Sequence, residues 1–303
     1  MRIGVRVRAL LGLATLLCLG LAGDNSTPMH GSGMAFASAM PRTVVWAWEE
    51  PEDLRALDPT RVGVAYLAET LLLDGAPSGG VAVLPRRQPL AVPEGAALMA
   101  VVRIETRPGF QDSPQLQERT AANLLAIARR PGTRALQIDF DAKRSERPFY
   151  VAVLGSLRRQ MPQGMPVSIT ALTSWCAAAP GRSWLAALPI DEAVPMFFRL
   201  GGDALPYADK TWLPVREPKC QGSVGIATDE SWPHLDASKR VYLFAPAPWR
   251  PAQLDELAGI SDRARPAPLR EPSRYTAAQA LSASRLPLPV DQLDEPNRRE
   301  EGR

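Results

Sequence analysis

Two aspartates stand two positions apart at the end of an apolar run, Ala135-Leu-Gln-Ile-Asp-Phe-Asp141. If that run is a β-strand, Gln137, Asp139 and Asp141 project to one face, and Leu136, Ile138 and Phe140 to the other. A strand covered on both sides should be apolar on both, so three polar groups on one face break the pattern. A buried carboxylate is costly unless it is paired or wetted. Such departures concentrate at functional sites. Carboxyls placed in this way suit glycosidic bond hydrolysis, in which one acid protonates the leaving oxygen and a second acts as nucleophile or activates water. Asp139 and Asp141 are the first catalytic candidates, and Glu230 is the third.

The elements that must hold these acids can be read from the same chain. Eight short apolar runs recur: Val44–Trp48, Val62–Leu67, Leu98–Ile104, Ala135–Phe140, Val167–Leu172, Ala193–Phe198, Val224–Ala227 and Val241–Ala245. Ser113 followed by Pro114 opens a helix to about Arg130, closed by Pro131 and Gly132. Ser145 is expected to cap a second helix, which carries Phe149, Val153, Leu154 and Leu157 at helical spacing. Trp184–Leu188 reads as a helical turn and Pro251–Ala258 as a last short helix. Leu71–Gln88 reads as an extra hairpin that turns at residues 77–80. Eight strands alternating with connectors predict a single-domain (β/α)8 TIM-type barrel of the α/β class. No Gly-rich phosphate loop follows the first run, which disfavours a doubly wound open sheet.

Barrel enzymes place their chemistry at the carboxyl ends of the strands. Those ends carry Trp46, Trp48 and Glu49 on the first run, Arg103 and Glu105 on the third, and Gln137, Asp139 and Asp141 on the fourth. Trp175 follows the fifth, Arg199 the sixth, and Asp229, Glu230 and Trp232 the seventh. Tryptophans offer flat faces to sugar rings and an N–H to their hydroxyls. Trp46, Trp48, Trp175 and Trp232 are therefore binding candidates, with Glu49, Gln137 and Asp229 beside them. Arg199 is expected to pair with a strand-end carboxylate, with direct ligand contact as its alternative role among the binding candidates. Asp139 has an equal claim to a structural role, whereas Asp141, further out, is weighted towards function. Glu192 opens its run and belongs to the opposite end of the barrel.

Arg2, Arg6 and Arg8 precede an apolar stretch from Ala9 to Ala22, the pattern of a cleaved secretory signal over residues 1–22. The stretch is too short for a comfortable membrane span. Residues 23–41 then read as a polar linker, 42–262 as the barrel, and 263–303 as a Pro/Arg-rich tail too poor in apolar surface to fold. Export implies an oxidising compartment, periplasmic or extracellular, so Cys176 and Cys220 are expected to form a disulfide. A net charge of +3 without a basic, aromatic-interleaved stripe argues against nucleic acid. With two histidines in the chain a His-rich metal site is excluded, and neither a calcium-loop motif nor Gly-x-Ser-x-Gly is present. No metal or cofactor is expected. The reading is a monomer with a carbohydrate ligand.

Together these segments resemble a bacterial family catalogued as domain of unknown function 3142. The resemblance rests on Val44-Val-Trp-Ala-Trp-Glu49, Leu136-Gln-Ile-Asp-Phe-Asp-Ala142, Ile169-Thr-Ala-Leu-Thr-Ser-Trp-Cys176, Asp191-Glu-Ala-Val-Pro-Met-Phe-Phe-Arg199 and Gly225-Ile-Ala-Thr-Asp-Glu230, over about Thr43 to Trp249. It implies an exported, glycosidase-like barrel and carries no particular reaction. More distantly, the fourth run resembles the Asp-x-Asp run of chitinase-like barrels, where a Glu follows two residues after the last Asp. Here that position is Lys143, a departure that argues against their substrate-assisted mechanism. Barrels that divide acid and nucleophile between the fourth and seventh strands fit better, with Asp141 or Asp139 paired to Glu230. The alternative is a non-catalytic carbohydrate-binding or envelope-assembly protein on the same fold.

Overall fold

The computed structural model describes residues 36, 38–74, 80–178, 182–200, 215–232 and 235–257. The expected signal segment, residues 77–79 of the hairpin turn, and the tail lie outside them. Eleven strands are described: β1 (Thr43–Ala47), β2 (Glu52–Asp53), β3 (Val62–Leu73), β4 (Val81–Pro85), β5 (Leu90–Ala91), β6 (Leu98–Thr106), β7 (Thr133–Asp139), β8 (Val167–Leu172), β9 (Glu192–Met196), β10 (Ser223–Ala227) and β11 (Arg240–Phe244). The helices are α1 (Pro114–Ala128), α2 (Arg147–Gln160), α3 (Thr173–Cys176) and α4 (Pro251–Leu257).

Each of the eight apolar runs is a strand, and they pair in parallel as β1-β3-β6-β7-β8-β9-β10-β11. The ring closes because β1 pairs with both β3 and β11. The fold is an eight-stranded parallel barrel with helices, of the TIM type, and closure leaves no open edge. The far half of β3, still paired with β6, runs past the end of β1 and pairs antiparallel with β4, which is the expected hairpin. The short parallel pair β2–β5 was not anticipated, since two-residue strands leave no periodic signal.

Local chemistry sets the helix boundaries. Ser113 Oγ accepts from the Leu116 amide at 3.2 Å and Pro114 takes the first turn of α1, as the sequence implies. Ser145 does not cap α2. It lies inside a 3-10 turn, Arg144–Glu146, and Glu146 there accepts from the Lys143 amide at 2.8 Å and from Thr106 Oγ1 at 2.8 Å. A long carboxylate reaching back three residues satisfies the orphan amide that a serine could have taken.

The barrel interior is packed. Val44, Trp46, Ala65, Met99, Val101, Ala135, Val194 and Tyr242 form one buried cluster, joined by Phe36 and Met40 from the segment ahead of β1. Those two residues fall in the stretch that composition marks as linker, yet both are 2% exposed. Gly225 makes room for Trp46, because a Cβ there would meet the indole at 3.2 Å. The outward faces of the strands pack under α1 and α2 on one side and α4 on the other.

A polar chain crosses this interior. Trp46 Nε1 donates to Gln137 Oε1 at 2.8 Å, and Gln137 Nε2 to Ser168 Oγ at 3.2 Å. Ser168 donates to Glu192 Oε2 at 3.2 Å, and Tyr242 to the same oxygen at 2.6 Å. Arg240 Nη1 donates to Glu192 Oε1 at 2.8 Å. Glu192 and Arg240 each begin a strand, so this ion pair lies at the amino-terminal end of the barrel. Removing one partner of a buried pair leaves an uncompensated charge, and Glu192→Ala should cost about 3–5 kcal/mol in chemical denaturation.

Cys176 and Cys220 form a disulfide with Cα atoms 5.8 Å apart, tying the end of α3 to the turn before β10. The bridge closes 44 residues of chain. Chain-entropy reasoning assigns such a loop about 4 kcal/mol, so Cys176→Ser with Cys220→Ser should lower the thermal midpoint measured by calorimetry.

Candidate functional site

Parallel strands bring their carboxyl ends to one rim, and register decides which side chains meet there. Arg103 on β6 lies beside Asp139 on β7. Its Nη1 stands 3.8 Å from Asp139 Oδ2, its Nε donates to Glu105 Oε1 at 2.6 Å, and its guanidinium lies 5.6 Å from the centre of the Trp48 ring. From the other neighbour, β8, Thr170 Oγ1 donates to Asp139 Oδ1 at 2.7 Å. Trp48, Arg103, Glu105, Asp139 and Thr170 therefore form one cluster at the mouth.

Asp141 lies just past the end of β7 and is exposed to solvent. Its carboxyl is nonetheless pushed up to about 6, first by desolvation, then by the charge of Asp139, with Arg103 opposing. A solvent-exposed carboxyl that holds its proton up to about 6 suits a group that must exchange protons with a ligand.

The floor of the mouth is aromatic. Trp48, Phe198 and Phe244 are half-buried against the interior cluster, and the Phe198 and Phe244 rings stack at 5.3 Å between centroids, 5° from parallel. The two phenylalanines are absent from the sequence-derived set, which weighed tryptophans only. The available signal was alternation: Val194, Met196 and Phe198 share one parity, as do Tyr242 and Phe244, and both parities face the axis.

A second polar group lies on the far side of the rim. Arg199 has φ 55°, an uncommon conformation for a residue with a Cβ. Its Nη1 donates to Glu230 Oε1 at 2.6 Å and its Nη2 to Asp229 Oδ2 at 2.9 Å, while its amide donates to Glu230 Oε1 at 3.1 Å. These bonds hold the strained backbone.

The other candidates are placed differently. Trp46 and Gln137 are bonded to each other inside the barrel, below the mouth, because strand parity turns both inward. Trp175 is 4% exposed and packs edge-on against Trp184 at 5.0 Å beneath Arg147. With its ring in the wall, it offers no free face to a sugar, which corrects the platform reading. Trp232 is half-buried against the outer cluster, and its indole N–H is committed to the Ala227 carbonyl at 2.6 Å. Glu49 and Asp229 are exposed. His234 lies outside the described residues. Among the described residues no group of three or more His, Cys, Asp or Glu could hold a metal ion, and no helix is long and apolar enough to cross a membrane.

Residues 94–196 match the family described as domain of unknown function DUF3142. The DUF3142 match runs from just before β6 to the end of β9, so it includes Asp139 and Asp141 but not the Trp48 or Glu230 segments, a narrower span than the resemblance over Thr43–Trp249. No curated protein matches the sequence. Among solved structures, the spore cortex-lytic enzyme SleL of Bacillus cereus is similar with a TM-score of 0.40 and 16% identity, covering 62% of this chain and 52% of that one. The "putative Chitinase A" of Streptomyces coelicolor is similar with a TM-score of 0.33 and 8% identity, covering 51% of this chain and 60% of that one. The matches thus span little more than half of either protein's length.

One further carboxyl, outside the matched residues, was not anticipated. Glu52, buried at the start of β2, accepts from the Trp249 amide at 3.0 Å, and Trp249 Nε1 donates to the Trp46 carbonyl at 3.0 Å. Burial pushes Glu52 up to about 7; the Trp249 bond and Arg86 act against this, and Glu50 adds to it. The folded value lies above the unfolded value of 4.5, so the stabilising contribution is full below about pH 4.5 and is lost as pH rises through about 7. Glu52→Gln should flatten that decline in thermal melts run from pH 5 to pH 8 (roughly the range of the proton's loss).

Proposed function

We propose that this chain is an exported barrel that acts on, or binds, a polysaccharide or glycan at its carboxyl-end mouth. The observation that carries the reading is the Asp139–Asp141 pair: an accessible carboxyl raised to about 6 beside a second carboxyl fixed by donors. A group protonated up to about pH 6 can serve as general acid in mildly acidic to neutral surroundings. In that role the O–H bond of Asp141 breaks and its proton joins the leaving glycosidic oxygen, which takes the C–O electron pair. Trp48, with Phe198 and Phe244, supplies apolar faces against which a pyranose ring can lie. Glu230 is the second carboxyl of the reaction, as nucleophile or as base for water, and Arg199 orients it.

A second reading, a non-catalytic glycan-binding or envelope-assembly barrel, draws on two observations. Lys143 stands where chitinase-like barrels carry their acid, and Glu230 is already engaged by both the side chain and the amide of Arg199.

The experiment is a screen of the purified chain against bacterial exopolysaccharides, with Asp141→Asn alongside. Asp141→Asn should lower turnover by about 100-fold or more while leaving the thermal midpoint nearly unchanged, and the wild-type rate should fall as pH rises past about 6. Equal turnover by the variant would remove Asp141 from catalysis. Binding without product from any glycan would favour the second reading.

A further inference from the structure

The ring has no open edge, but β4 stands outside it and has one. β3 loses β1 as its neighbour after Tyr66, and from Glu69 to Leu73 β4 takes that place. On its other side β4 ends the sheet. The Asp74 amide donates to the Gly80 carbonyl at 3.1 Å and the Arg86 amide to the Ala68 carbonyl at 3.0 Å, so the even-numbered residues of β4 exchange bonds with β3. Val81, Val83 and Pro85 therefore turn their backbone groups to the free side. Edge strands are commonly blunted by a charge, a bulge or a proline. Here the run is Val81-Ala-Val-Leu-Pro85, uncharged, regular in its pairing and closed by proline only at its end. Val83 and Leu84 are 41% and 40% exposed on opposite faces of this strand, and with Val151 they are the exposed large hydrophobics among the described residues.

We propose that the free edge of β4 pairs antiparallel with β4 of a second copy of this chain, about a two-fold axis at Val83. In that register Val83 exchanges both backbone bonds with its own copy, and each Val81 amide meets the opposite Pro85 carbonyl. The N–H that Pro85 lacks falls at the end of the pairing, where water reaches the Val81 carbonyl. Val83 lies across from Val83 and Leu84 across from Ala82, so both exposed side chains gain apolar neighbours. The charges agree with the same register. Arg86 of each copy comes opposite Gly80, and the Asp74 carboxylate occupies the place that a Gly80 side chain would take. An unrelated extended peptide would find the same backbone groups without this placing of proline and arginine. The Pro85 ends, nearest the rings, point in opposite directions, so the two barrels sit at opposite ends of the joined sheet. The other edge of β4 is bonded to β3, and the assembly therefore closes at two copies. It differs from the monomer expected from the sequence, and it is independent of any glycan.

Strand pairing of this length buries less than the roughly 1,200–2,000 Å² of a standard interface, so the dimer is weak and forms as concentration rises. The test is sedimentation velocity of the full chain from about 5 to about 500 µM, the range of weak specific association. The wild type should pass from monomer to dimer. Val83→Pro removes the central donor from both copies at an edge position that tolerates proline, and should weaken association by about tenfold or more. Val83→Lys sets like charges across the axis and should do the same, whereas Val83→Thr should match the wild type within about twofold. Position is read by cross-linking in a Cys18→Ser background. Cα atoms of a hydrogen-bonded antiparallel pair are about 5.5 Å apart, within disulfide range, so Val83→Cys should cross-link under mild oxidation. Arg87→Cys should not, since four residues at about 3.4 Å each place it about 27 Å from its copy. A wild type that stays monomeric throughout, association unchanged in Val83→Pro and Val83→Lys, or equal cross-linking at both positions would overturn the proposal.

Discussion

Glu192, nearly sealed from water where its strand begins, is the point on which the buried polar network of the barrel depends. Arg240 from β11 supplies the opposite charge, and Tyr242 and Ser168 supply hydrogen bonds to its oxygens. Breaking such a pair by deleting one member is costly because the remaining charge stays buried. The three partners come from β8 and β11, on either side of β9 around the ring, so the bonds can all form only when these strands are held in this order and register. From Ser168 the chain continues through Gln137 to the indole of Trp46, linking the amino-terminal end to the layer beneath the mouth.

That layer explains how polar residues on a single strand face divide their roles. Gln137 and Asp139 share a parity on β7. Gln137 lies at a height where neighbouring side chains seal the interior, and it joins the polar chain; Asp139, two residues on, meets Arg103 and Thr170 near the mouth. Asp141 is past the last hydrogen-bonded position and reaches solvent. The same alternation that breaks the apolar pattern thus runs from a structural amide, through a fixed carboxylate, to an accessible acid. Height along the barrel axis separates them, since polar groups are sustained in the interior only with partners and at the mouth by water as well.

The rim also shows why residue type at a strand end underdetermines function. Trp48 and Trp175 both follow strands, but Trp48 remains half-buried over the axis while Trp175 turns with α3 into the wall beside Trp184. A single turn of helix after β8 makes the difference. Phe198 and Phe244 lie on the floor because β9 and β11 present inward parity there, although neither is a residue type that attracts attention as a sugar platform. Glu230 and Arg199, read separately from two strand ends, form one unit together with Asp229.

By itself the sequence determined the number and direction of the barrel strands, because alternating apolar runs and capped helices encode local structure within a few residues of each element. It also pointed to the disulfide, since only two cysteines lie outside the apolar amino-terminal stretch, and it located the acidic strand end, since three polar residues on a buried face are visible as a pattern. Only the tertiary structure decided which neighbours flank those acids. The contacts of Asp139 with Thr170, of Arg103 with Trp48, and of Glu52 with Trp249 join residues 31, 55 and 197 positions apart. They depend on strand register and on the order in which the ring closes, quantities that no local pattern carries.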